Sequence, residues 1–211
     1  MLPRANLGLS RYEYAPLCLR MLKADLPSPV VFDIGPGDGR LRSAVEDIGL
    51  GWRGFDVTAW RDVVQWDIGS EPCPLDERAG AVLLLDVLEH SPNPGHALRA
   101  IAAALLPQGR LILTMPNPRW SAGRLHHLVF GTPSGFTKRD LDDNHHVFFP
   151  LVHVVERLLS DAGFVVDEYV TLDGKTAPFR ARFSLLRMAI ERLDPSACGM
   201  SYGIVARKAA A

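Results

Sequence analysis

Cysteine is scarce in this chain: Cys18, Cys73 and Cys198 are far apart, odd in number and form no Cys-x-x-Cys pair. That scarcity argues against a disulfide framework and against a thiolate zinc site, and it points to a reducing, cytoplasmic setting. Long apolar runs are missing too; none approaches the roughly 20 residues a helix needs to cross a bilayer. The opening MLPRANLGLSRYEY lacks the basic-then-apolar order of a secretory signal. Neither sign of charge is in excess, and a formal net charge of -1 gives no overall pull toward nucleic acid or anionic lipid. Internal repeats and low-complexity tracts are likewise missing. What remains is an ordinary globular composition over 211 residues, enough for one domain with a substantial core.

Strand and helix signals alternate along that domain. Ser10 and Glu13 have capping-box spacing, which predicts a helix from there to Leu26, stopped by Pro27 and Pro29. VVFDI reads as a buried strand, RLRSAVEDIG as a helix, and WRGFDV and DVVQWDI as two further strands. AGAVLLLDVLEH is a fourth strand running into a polar turn. Asn93-Pro94 then caps a helix that Gly109 is expected to end, and RLILTMPNP follows as a fifth strand. Leu151, Val154, Val155, Leu158, Leu159 and Ala162 recur at helical spacing before Gly163. FVVDEYV, a helix around Phe179 to Leu193, and SYGIVARK complete the chain. The expected fold is α/β, Rossmann-like and doubly wound, with a mostly parallel seven-stranded sheet and helices on both faces. Residues 119–150, rich in Gly, His and Pro, interrupt the alternation and read as a lid.

The chemistry concentrates at VVFDIGPGDGR. A dinucleotide loop requires Gly-x-Gly-x-x-Gly, but here Gly35, Gly37 and Gly39 alternate and Arg40 stands where the third glycine belongs. Asp33 and Asp38 would crowd a pyrophosphate. Negative charge at this place suits a ligand with positive charge, and S-adenosylmethionine has an ammonium group, a sulfonium and no phosphate. Asp56, ending the second strand, is placed to accept from a ribose diol. Asp67 and the Ile68 N–H, after the third strand, suit an adenine amino group and ring nitrogen. Each aspartate has a plainer reading as a turn or cap residue.

In this order the motifs resemble the class I S-adenosylmethionine-dependent methyltransferases, in particular the small-molecule group containing the ubiquinone and menaquinone enzymes. VFDIGPGDGR, Asp56, WDIGSEPCPLDERAGAVLLLDVLEHSPNP, LLPQGRLILTMPNP, HHVFFPLVHVVERLLSDAGF and YGIVARK carry the resemblance. It implies one methyltransferase domain over 1–211, with an N-terminal helical region at 1–27, the lid at 119–150 and a helical insertion at 172–200. It also implies that Asp33, Gly35, Gly37 and Gly39 form the cofactor loop. Asp56 and Val57 would then lie at the ribose, Asp67 and Ile68 at the adenine, and Leu85, Asp86 and Val87 on the reaction side. S-adenosyl-L-methionine would be the cofactor and S-adenosyl-L-homocysteine the product.

Methyl transfer from a sulfonium is an in-line displacement, so much of the catalysis is positioning, and an oxygen acceptor usually needs a base as well. His90, closing DVLEH, and His145 or His146 are the candidates. Five of the seven histidines lie between His126 and His153, in or beside the expected lid. Asp86, Glu89 and His90 do not make a complete metal motif, and no metal is expected. Trp120, Phe130 and Phe136 either pack within the lid or make an apolar wall for an acceptor with an aromatic or lipid part, lipid- or sugar-linked and methylated at oxygen or carbon. The late helix carries Phe179, Phe183, Leu186, Ile190 and Leu193 on one face, with Arg180, Arg182, Arg187 and Arg192 around it. That pattern fits a core-packing helix or a membrane-surface contact through 179–193. Two other functions use the same adenosine pocket: a nicotinamide-dependent oxidoreductase and a non-catalytic cofactor-binding protein.

Overall fold

The computed structural model describes residues 6–173 and 184–210. The expectations placed on Phe179, Arg180, Arg182 and Phe183 lie outside the described residues. Seven strands form one sheet in the order β3-β2-β1-β4-β5-β7-β6. They are β1 (Val30–Ile34), β2 (Gly51–Asp56), β3 (Val63–Gln65), β4 (Ala79–Leu85), β5 (Leu105–Pro116), β6 (Phe164–Leu172) and β7 (Ser201–Lys208). Only β7 runs antiparallel to its neighbours. The helices are α1 (Arg11–Leu22), α2 (Leu41–Asp47), α3 (Pro94–Ala104), α4 (Ser121–Phe130), α5 (Lys138–Asn144), α6 (Val152–Asp161) and α7 (Ser184–Leu193).

All seven residues of β4 are buried, as a central strand covered on both faces must be. One side of the sheet packs against Leu98 and Ile101 of α3 and Val155 and Leu159 of α6. The other packs against Tyr14, Ala15 and Leu19 of α1 and Leu41 and Val45 of α2. Strand order reverses between β1 and β4, which opens a crevice at the carboxyl ends of these strands. The start of α1 is held at this end of the sheet. The Glu13 carboxylate accepts from both the Ser10 N–H and the Ser10 hydroxyl at 2.8 Å. Asn93 caps α3 by accepting from the His96 N–H at 3.1 Å.

Two expectations need correction. The helix α3 ends at Ala104 rather than at Gly109, because Leu105 is already extended and pairs with Ala79. An irregularity in the β4–β5 register absorbs the Pro107–Gly109 stretch, so strand pairing overrides the glycine stop signal. Of the two readings of the late helix, core packing of its apolar face is not what the described part of α7 shows. Arg187 is the inward residue, at 7% exposure, while Leu185, Leu186, Met188 and Leu193 face outward. Arg187 donates to the Ser121 hydroxyl at 3.0 Å and to Glu191 at 3.4 Å, and its guanidinium lies 5.7 Å from the Trp120 ring centre. A guanidinium with partners and an aromatic face can be buried without large penalty.

Candidate active site

The glycine loop leaves β1 at the crevice. Gly35 has φ +66°, and a Cβ there would come within 2.6 Å of the Val87 side chain. The loop therefore presses directly onto the turn after β4. Gly37, at φ +59°, has no atom within 4 Å of where its Cβ would be. One glycine gives close packing and the other leaves an open concavity, a combination that lets main chain approach a ligand. Beside it lies a cavity of about 240 Å³, lined by Val57, Asp67, Ile68, Val87, His90 and neighbouring loop residues.

The three aspartates expected at a cofactor differ in setting. Asp33 is 2% exposed and accepts from the Trp52 indole N–H at 3.0 Å. Burial raises its pKa to about 6, and the indole bond partly offsets that rise. Asp56 is half-buried at the end of β2, and its carboxylate has no hydrogen-bond partner among the described residues. Asp67 is exposed; one oxygen accepts from the Gly69 N–H at 2.8 Å and the other from the Ser70 hydroxyl at 2.6 Å. The Ser70 hydroxyl first, and then the Gly69 N–H, hold the Asp67 carboxyl below its usual range. Its oxygens retain lone pairs toward the cavity.

Asp86 follows Leu85, the last residue of β4, with φ +53°, a costly backbone conformation outside glycine. It is held by the Thr114 hydroxyl at 2.7 Å, by its own N–H to the Thr114 carbonyl at 3.0 Å, and by an ion pair with Arg11. Two guanidiniums lie over the Tyr12 ring, that of Arg11 at 4.9 Å and that of Arg40 at 4.5 Å from its centre. The start of α1 is thereby tied to both the glycine loop and the β4 turn. The sequence reading missed Arg11 and Tyr12; the Ser10–Glu13 cap, which starts the helix just ahead of them, was the available signal. A second cavity, about 350 Å³, opens beside Asp86 between Arg11, Asn117, Trp120 and Phe136.

Of the three candidate histidines, the structure brings two together. His90 and His146 have ring centres 4.9 Å apart, whereas His145 is exposed in a left-handed conformation at the end of α5. Glu89 lies beneath the pair at 1% exposure. Its Oε2 has no hydrogen-bond partner among the described residues. Burial first, then the neighbouring Asp86, raises its pKa well above the carboxylate range. Desolvation, the largest influence on His90, holds its imidazole below the usual value and therefore neutral near pH 7. Glu89 was visible in DVLEH, but its isolation is a consequence of packing.

A doubly wound sheet with a glycine loop, a strand-end aspartate and a cavity beyond β4 defines a nucleoside-cofactor fold. The sequence matches the family model for the methyltransferase domain over residues 8–169. The chain belongs to this family; it is a class I S-adenosylmethionine-dependent methyltransferase, with S-adenosylmethionine as cofactor and S-adenosylhomocysteine as product. No curated protein matches by sequence. Among solved structures, the fold is similar to an S-adenosylmethionine-dependent methyltransferase from Archaeoglobus fulgidus. Identity is 18%, coverage 94% of this chain and 95% of that one, and the TM-score 0.60. It is also similar to a putative methyltransferase from Bacillus halodurans, at 20% identity, 92% and 99% coverage, and a TM-score of 0.60. A third similar structure is the magnesium protoporphyrin IX methyltransferase of Synechocystis with bound S-adenosylhomocysteine. It has 16% identity, 94% and 82% coverage, and a TM-score of 0.58. Among the described residues, no helix is long and apolar enough to cross a membrane.

Proposed function

We propose that the protein methylates, in the cytoplasm, a small molecule with a polar head and an apolar, lipid-like part. The observation that carries this reading is the 350 Å³ cavity beside Asp86. Arg11, Ser10 and Asn117 supply polar groups at one side, and Trp120, Phe136 and Pro118 supply apolar ones. Leu128, Val129 and Phe130 continue α4 outward from this cavity as exposed apolar side chains, and Leu185, Met188 and Leu193 do the same on α7. Exposed groups of this size on paired helices suit a lipid-linked acceptor or the membrane surface that carries it. Segment 119–150 is read as the lid over the acceptor.

In this reading Gly35, Gly37 and Gly39 bring main chain to the methionine part of the cofactor, and Asp56 takes the ribose hydroxyls. Asp67, Ile68, Val57 and Val87 enclose the adenine. Leu85 and Asp86 border the reacting methyl. His90 and His146 stand on the side where a hydroxyl acceptor would release its proton. The deciding experiment offers methyl-labelled cofactor to matched acceptors with and without a prenyl or acyl tail, in detergent and in vesicles. Preferential labelling of the tailed acceptors is expected. Equal or better labelling of the tail-free partners would remove the lipid-like part from the proposal.

A further inference from the structure

We propose that Glu89, His90 and His146 form a binding site for a divalent transition metal of the zinc class. One ligand-type atom from each residue lies within 4.8 Å of the others. This assigns a cation to a place where the sequence suggested none. It deepens the methyl-transfer reading, because the site lies between the adenine-side cavity, which His90 lines, and Phe136 of the acceptor cavity. The ring centres of Phe136 and His146 are 5.2 Å apart.

Proximity is only the first observation. His90 Nδ1 lies 2.6 Å from the Asn144 carbonyl oxygen, and His146 Nδ1 lies 2.5 Å from that of Gly135. A carbonyl only accepts, so both Nδ1 atoms carry the hydrogen and both Nε2 atoms present a lone pair. This tautomer, fixed by a main-chain acceptor, is the usual arrangement behind a metal-bound imidazole. The second observation is the buried Glu89 Oε2 without a partner. The nearby guanidinium of Arg11 is engaged by Asp86 rather than by Glu89. A buried carboxylate needs compensating charge or a donor, and a cation between it and two imidazoles supplies that charge. Two nitrogens and a carboxylate oxygen suit zinc, and three protein ligands leave a further position for water or an acceptor oxygen.

The ligands come from both sides of a seam. Glu89 and His90 belong to the turn after β4, while His146 follows α5. The Glu89 carbonyl already accepts from the N–H groups of Val147 and Phe148, both at 3.0 Å. A bound ion would fasten residues 144–148 to that turn.

The test uses the full chain, stripped with chelator and titrated with zinc chloride by calorimetry, with Co²⁺ absorption as a separate readout. One equivalent of zinc per chain is expected, with visible Co²⁺ bands of a low-coordinate nitrogen–oxygen site. Glu89→Gln and His146→Gln should each weaken zinc binding at least about tenfold, while His145→Gln should leave it unchanged. S-adenosylhomocysteine titration of the same proteins reports separately on the cofactor site, so loss of metal binding and loss of the methyltransferase reading are distinguishable. Uptake below stoichiometric, or zinc affinity unaltered in His146→Gln, would overturn the proposal. His146 is only partly buried, so this variant remains informative if Glu89→Gln fails to fold.

Discussion

The two ends of the sheet are built differently. From β1 to β4 the site consists of strand ends and tight turns, with each candidate residue within a few positions of a buried strand. From Pro116 to Met200 the cavity wall comes mainly from the loops around residues 116–120 and 133–136, with Gly123 of α4, while the outer faces of α4 and α7 expose Leu128 at 80% and Leu193 at 87%. The first region can hold a ligand at fixed distance because its backbone belongs to the core. The second can vary its surface without touching that core, which is why the glycine-loop region is legible in the sequence and the region around α4 and α7 is not.

The comparison can be broken most directly at Gly35. A valine there would meet the Val87 side chain and force a β-branched residue to positive φ. Gly35→Val is expected to weaken S-adenosylhomocysteine binding by about 3 kcal/mol or more in calorimetry. An affinity close to that of the parent would show that the loop is not shaped by the ligand. Asp56→Ala should cost about 1.5–3 kcal/mol of the same binding, the usual worth of charged hydrogen bonds. No change in that variant would remove Asp56 from the ribose position.

Asp33 sharpens the comparison through pH. Its carboxyl rises from an ordinary 3.8 to about 6, so the folded chain holds this proton more tightly than the unfolded one. Stability therefore falls as pH rises from about 4 through 6, by up to about 3 kcal/mol. Asp33→Asn can still accept from Trp52 and should flatten this slope in urea unfolding at pH 4 and pH 8. If S-adenosylhomocysteine binding also drops more than about tenfold, the charge of Asp33 reaches the ligand; if binding holds, its part is structural. The smallest effects are expected on α7. Arg187→Ala should destabilise by about 1–2 kcal/mol, because it takes a charged donor from Glu191 and Ser121, which then keep only their bond to each other. Leu193→Ser should stay within about 0.5 kcal/mol. The reverse ranking would mean that the outward face of α7 is packed in solution.

Much of the fold was legible because its signals are local. The short apolar runs at Val30–Ile34, broken only by Asp33, and at Ala79–Leu85 read as strands covered on both sides, and Asn93-Pro94 favours a helix start. The glycines at 35, 37 and 39 require a turn that larger residues resist. The end of α3 was misplaced because Gly109 is a local stop signal, whereas the Leu105–Ala79 pairing is not local. The core-packing reading of α7 failed for a related reason. Hydrophobic periodicity assumes that apolar residues face inward, but Ser121, Glu191 and Trp120 offered Arg187 a better-satisfied interior position.

By itself, then, the chain determined the alternation of strands and helices, the glycine loop after β1 and the strand-end aspartates around it. Each of these follows from neighbouring residues and backbone sterics. Only the tertiary structure decided that His146 meets His90 while His145 turns away, that Glu89 Oε2 is buried without a hydrogen-bond partner among the described residues, and that Arg11 closes on Asp86. These are contacts between segments far apart in sequence. Packing and desolvation, which no local pattern encodes, set which polar groups face one another.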